Sequence, residues 1–218
     1  MKRLIFILLS ILPLYAFAQI FVTRGMSVEE IIPADCDVQT VEGDLNKDGL
    51  ADVVVLATSR NKANMKVRDD GYTYNFNQPV LAIYFATSSR GYELWKKYND
   101  IIPYSESETL FVEVEVSVTE RGVLKIDISN FASAGSWSNV NSTYLFRYQQ
   151  GDFYLIGSEQ SDMARNTGIE TKVSNNYLTH KCLTTRRSVM RDVEMKPTEK
   201  WTALPREPLK CLGSFSLE

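Results

Sequence analysis

Asp44, Asn46, Asp48 and Asp52 stand at positions one, three, five and nine of Asp44-Leu45-Asn46-Lys47-Asp48-Gly49-Leu50-Ala51-Asp52. Alternate side chains of a tight loop turn toward its centre, so this spacing can gather carboxylate and amide oxygens around one ion. Gly49, at the sixth position, permits the sharp turn such a loop needs. Hard oxygen donors carrying several negative charges suit Ca²⁺ better than a softer metal. Three of these side chains plus a backbone carbonyl could surround one ion. The same residue types also build ordinary surface turns, so a metal-free Asx turn is the competing expectation.

The twelfth position decides which kind of loop this is. In a helix-loop-helix calcium hand it is a bidentate Glu leading into a helix. Here that position is Val55, inside Val53-Val54-Val55-Leu56-Ala57, an apolar β-branched run that reads as a buried strand. The stretch Gly43-Asp44-Leu45-Asn46-Lys47-Asp48-Gly49-Leu50-Ala51-Asp52-Val53-Val54-Val55 resembles the FG-GAP/VCBS type of repeat, found in integrin-like β-propellers and many secreted bacterial proteins. The resemblance implies Ca²⁺ held just before a strand by the side chains of Asp44, Asn46, Asp48 and Asp52, with the backbone carbonyl of Leu50. It covers roughly residues 42–57, and no second copy occurs at the ~40–60-residue period that propeller blades require, so a full propeller is not expected. Ala134-Gly135-Ser136-Trp137, Thr143–Tyr148 and Asp152–Gly157 are similar to segments of single-repeat secreted bacterial proteins, largely of unknown function.

The other chemically capable residues are few. His180 is the sole histidine, which excludes a histidine metal cluster and leaves one residue for any Ser-His-Asp or Cys-His site. On a strand it would share a face with Cys182. Glu113 with Glu115, or Glu106 with Glu108, could supply paired carboxylates for sugar hydrolysis, but solvated strand faces also carry such pairs. No phosphate-binding glycine loop and no nucleophile elbow occur. Trp95, Trp137, Trp201, Tyr144, Tyr148 and Tyr154 could stack on sugar rings if exposed; packing within a β-rich core is the alternative for each.

The elements that would position these residues can be read from the order of the chain. Met1-Lys2-Arg3, an apolar run to Ala16 and Ala16-Phe17-Ala18 form a leader, residues 1–18, with cleavage expected before Gln19. The mature protein is then periplasmic or extracellular, with no transmembrane segment. Loss of Lys2 and Arg3 takes the formal charge from −3 to −5, which disfavours nucleic acid as a partner. Residues 19–218 suffice for a single domain with a core. Cys36, Cys182 and Cys211 allow three single disulfides in an oxidising compartment; Cys182–Cys211 is preferred because it would tie the tail to the sheet.

Ser27 caps a short helix stopped by Pro33, and residues 59–78 are expected to form an exposed loop turning at Asp69-Asp70-Gly71. Pro79–Thr87 is a buried strand paired with Tyr92–Trp95. Val112, Val114, Val116 and Val118 alternate with polar residues, turn at Thr119–Gly122, and share a core face with Leu124, Ile126 and Ile128. That hairpin is expected to set Glu113 or Glu115 opposite Lys125. Ser142–Tyr148 pairs with Phe153–Ser158, weaker alternation continues to Val189, and residues 196–208 read as an irregular tail. The fold class expected is all-β: a single domain of antiparallel hairpins with one or two short helices. The function expected is a non-enzymatic binding module at the cell envelope, its partner a protein or glycan, with one structural Ca²⁺. The alternatives are a secreted, carbohydrate-active hydrolase using carboxylates and a metal-free structural protein.

Overall fold

Val53–Ala57 has no polar face, so both sides of its strand must be covered. A computed structural model describes residues 21–190 and 195–217, and it supplies both covers. The expected leader and its expected cleavage point before Gln19 lie outside the described residues.

The chain is all-β. A first sheet has five antiparallel strands: β1 (Arg24–Gly25), β2 (Cys36–Gly43), β3 (Asp52–Ser59), β6 (Pro79–Ala86) and β7 (Tyr92–Tyr98), in the order β1-β7-β6-β3-β2. Between β3 and β6, β4 (Met65–Val67) and β5 (Thr73–Asn75) form a separate hairpin. The second sheet is a seven-stranded meander: β8 (Leu110–Val118), β9 (Val123–Ala132), β10 (Ser138–Gln149), β11 (Asp152–Ala164), β12 (Ile169–Asn176), β13 (Lys181–Ser188) and β14 (Thr198–Ala203). Helical structure among the described residues is limited to α1 (Val28–Ile31) and a 3₁₀ turn at Lys62–Asn64.

Side-chain alternation divides the core in two. Val54 and Leu56 of β3, with Leu81 and Ile83 of β6, face the second sheet and meet Val116, Leu124, Ile126, Ile128, Phe146 and Phe153. Val53, Val55 and Ala57, with Val80, Ala82 and Tyr84, face away and are closed over by Phe21 and Ile31 of the N-terminal segment. Strands buried on both faces carry unbroken apolar runs, whereas the second sheet, solvated on one side, alternates. Burying each large aliphatic side chain here contributes about 1.5–3 kcal/mol.

The two sheets meet edge to edge as well as face to face. Gln39 Oε1 of β2 accepts the Val116 amide of β8 at 2.9 Å. Nearby, a Cβ added to Gly43 would stand 2.5 Å from Val118 Cγ1, so only glycine admits β8 this close. At the other side of the core the C-terminal segment fills the row that β12 leaves beside β11. The Leu155 amide donates to the Lys210 carbonyl and the Leu212 amide to the Phe153 carbonyl, both at 2.8 Å.

Several expectations need correction. Residues 59–78 are not a plain loop: they contain the β4–β5 hairpin, which turns at Asp69–Gly71 as expected and buries Tyr74 against Phe76 and Phe111. The supposed irregular tail contains β14, paired along its length with β13. Lys125 lies opposite Ser117, and Glu115 opposite Asp127, because the β8–β9 turn sets the register two residues from the one expected. Lys125 pairs instead with Asp127 on its own strand, at 2.7 Å. None of the three cysteines is in a disulfide. Cys182 lies on β13 opposite Asn175 of β12, while Cys211 bridges Tyr154 of β11, in the row continuing β12. The two cysteines thus occupy different rows of the sheet, so the preferred bridge does not form.

Candidate metal centre

The loop between β2 and β3 is built by its own side chains. Asp44 Oδ1 and Asn46 Oδ1 both accept the Asp48 amide, at 3.1 and 3.0 Å. Asp44 Oδ2 accepts the Gly49 amide at 3.2 Å, and Asp48 Oδ1 accepts the Leu50 amide at 2.8 Å. Asn46 Nδ2 donates to Asp48 Oδ2 at 3.0 Å. Lys47 and Gly49 adopt left-handed φ of 69° and 86°, the second being where glycine is favoured. These Asx-type bonds fold the oxygens of Asp44, Asn46 and Asp48 over one another.

Asp52 has a different place. It is fully buried at 0 % exposure, as the first residue of β3. Its Oδ2 accepts the amides of Leu45 at 2.9 Å and Asn46 at 3.2 Å, and its Oδ1 accepts the amide of Ala86, beyond β3 on β6, at 2.9 Å. It therefore clamps the start of the loop to the start of β3 and the end of β6. Burial pushes its carboxyl above the ordinary aspartate range, while the three amides pull it back.

The donor set fits Ca²⁺ in chemistry: carboxylate and amide oxygens, with no sulfur or imidazole. Asp44, Asn46 and Asp48 lie together. Asp52 is engaged below them, and the Leu50 amide is tied back to Asp48. Among the described residues no three His, Cys, Asp or Glu side chains are arranged to hold a metal. The loop's clustered set is accordingly two carboxylates and one amide.

A contact invisible in the sequence braces this loop. Gly122, in the β8–β9 turn, has φ +64°, and a Cβ there would stand 2.0 Å from the Asp44 carbonyl oxygen and 2.5 Å from Lys47 Nζ. The second sheet thus presses its turn against Asp44 at the start of the loop. The Thr-Glu-Arg-Gly signal predicted a turn, but nothing in it identified the neighbour.

The remaining chemically capable residues are dispersed. His180 is not on a strand: it occupies the β12–β13 turn with φ 53°, so it does not alternate with Cys182. Glu106 accepts the Tyr104 hydroxyl, and Glu108 pairs with Lys66. Glu113 and Glu115 lie on the outer face of β8. Trp95, Tyr148 and Phe153 pack together with centroids 5.1–5.7 Å apart, so Trp95 and Tyr148 belong to the core seam. Trp137 and Trp201, by contrast, are 70 % and 63 % exposed. The neighbouring Cys211 thiol raises the proton affinity of the Tyr154 hydroxyl. No helix among the described residues is long and apolar enough to cross a membrane. No known protein family, curated protein or solved structure matches the chain.

Proposed function

We propose that this chain is an exported, non-enzymatic β-domain that binds a protein or glycan at the cell envelope and holds one structural Ca²⁺ on the 44–52 loop. The observation that carries the reading is the loop itself. Its FG-GAP/VCBS-like pattern stands directly before β3, and Asp44, Asn46 and Asp48 place hard oxygens over one another at that point. Asp44, Asn46 and Asp48 would hold the ion with the Leu50 carbonyl, and Asp52 would close the set. A bound Ca²⁺ would neutralise the mutual repulsion of the carboxylates and fix the lead-in to a strand buried on both faces.

The binding role is favoured over hydrolysis by what three of the carboxylates beside cavities already do. Glu93 is paired with Arg24 at 2.8 Å, Glu30 accepts the Met26 amide at 2.7 Å, and Glu106 is bonded to Tyr104. Each of these three has a structural partner, so the two acids at the cavity shared by Glu30 and Glu93 are committed, while Asp100 and Glu207, which also line cavities, lie in different cavities from each other.

Thermal unfolding of the mature protein in EDTA and then in millimolar Ca²⁺ tests the metal, with Asp48→Ala beside it. Ligand binding to the native state alone raises stability by about 2.7 kcal/mol at a hundredfold excess over Kd. A calcium-dependent rise in Tm that vanishes in Asp48→Ala is expected. The same Tm in EDTA and Ca²⁺ would reduce the loop to a turn.

A further inference from the structure

Three cavities adjoin around the β12–β13 turn and the residues that leave β14, with volumes of about 460, 210 and 530 Å³. The first shares Lys181 and Trp201 with the third, and His180 and Leu204 with the second. Trp201 lines the first and the third. It lies on β14, an edge strand whose six residues are all exposed, and its indole is 63 % open to solvent.

Strand register fixes its neighbours. Trp201 is opposite Leu183, and Lys181 is opposite Ala203 one pair along the same face, so the lysine is a diagonal neighbour of the indole. The chain then returns over the turn, with the Leu204 amide donating to the His180 carbonyl at 2.9 Å, which brings Arg206 to the same cavity as Trp201 and Lys181.

The lining of the first cavity holds Lys181 and Arg206 and no carboxylate. Elsewhere on this face Lys125 is matched with Asp127 at 2.7 Å, Lys172 with Glu159 at 2.5 Å, and Arg187 with Glu170 at 2.5 Å, while Glu113, Glu115 and Glu199 form no ion pair among the described residues. Lys181 and Arg206 form no ion pair among the described residues. On a chain of net charge −3, two unmatched cations beside an exposed indole make a local positive corner, complementary to an anion.

We propose that the cleft around Trp201, Lys181 and Arg206 binds an acidic polysaccharide. The indole stacks on the apolar face of a pyranose, and the two cations meet uronate carboxylates on that sugar and its neighbour. The assignment rests on the reading of the chain as an exported binding module and names its ligand class. A sugar fits because it needs one flat apolar surface flanked by hydroxyl and amide groups. Thr179, Thr202 and Asn176 supply these beside Trp201. A nucleic acid would need many more cations than these two, because each phosphate contact consumes one. A protein docking on the sheet would need a broader apolar core than a single indole.

The test is calorimetric titration of the mature protein with polygalacturonate and with its fully methyl-esterified form. Both are run in EDTA, so that calcium cannot bridge polymer and protein. The acid polymer is expected to bind, and the ester to bind weaker by roughly tenfold or more, which is ~1.4 kcal/mol. Trp201→Ala and the double variant Lys181→Gln/Arg206→Gln, all at exposed positions, should each weaken binding by roughly tenfold with Tm unchanged. The double variant should also flatten the salt dependence between ~0.05 and ~0.5 M. Equal binding of acid and ester, undiminished binding by Trp201→Ala, or equally tight binding of single-stranded DNA or anionic vesicles would each overturn the assignment. The metal proposal stands or falls separately, on the thermal experiment.

Discussion

Replacing Asp52 by alanine removes the one carboxylate that the loop, β3 and β6 share. Three backbone amides lose their acceptor: Leu45 and Ala86 at 2.9 Å and Asn46 at 3.2 Å. Leu45 is buried, so its amide cannot turn to solvent, whereas the more open Asn46 amide can recruit water. An unsatisfied buried donor costs about 1–3 kcal/mol. Two full losses and one partial loss give about 3–5 kcal/mol, offset a little because the alanine no longer buries a charge. For a domain of this size that is roughly 2–4 °C of Tm per kcal/mol, and so a fall of about 6–20 °C. Urea unfolding followed by tryptophan fluorescence in EDTA would measure it, with Asp44→Ala as the comparison. Asp44 accepts only exposed amides and should cost about 1 kcal/mol or less under those conditions. If Asp52→Ala costs under ~1 kcal/mol, or no more than Asp44→Ala, the clamp described for Asp52 is wrong.

Two other contacts are open to the same kind of measurement. Gly122→Ala must hold φ near +64° and displace the Asp44 carbonyl, so it should destabilise by about 2–4 kcal/mol and weaken any calcium-dependent rise in Tm; a neutral result by urea titration would mean that the β8–β9 turn does not brace the loop. The Glu170 carboxyl is held below the ordinary glutamate range, first by Arg187 and then by Ser161. Its folded pKa is depressed, so its stabilisation is present above the unfolded value and is lost as pH falls through the folded one. Unfolding free energy measured from neutral to acid pH should therefore decline less steeply in Glu170→Gln than in the parent, and identical slopes would rule out this contribution.

The amino-acid sequence by itself determined where apolar faces must lie. Val112–Val118 with Leu124–Ile128 alternates because one face of that hairpin is buried, and Val53–Ala57 does not alternate because both faces of β3 are. Those patterns made the class of fold, its hairpins and the local form of the 44–52 loop legible. β14 escaped notice because all six of its residues are exposed, and a strand with no buried face has no hydrophobic period to read. The β4–β5 hairpin was hidden similarly, its one buried residue, Tyr74, being too little to make a pattern.

Only the tertiary structure decided which groups meet. The β8–β9 turn fixed a register that set Lys125 opposite Ser117 instead of a glutamate, and Lys125 pairs with Asp127 on its own strand. The separation of Cys182 from Cys211, the Gly122 contact with Asp44, and the commitment of Asp52 to Ala86 all join segments distant along the chain. Periodicity reports how a residue faces its own element; its partner is set by how the sheets are ordered and packed.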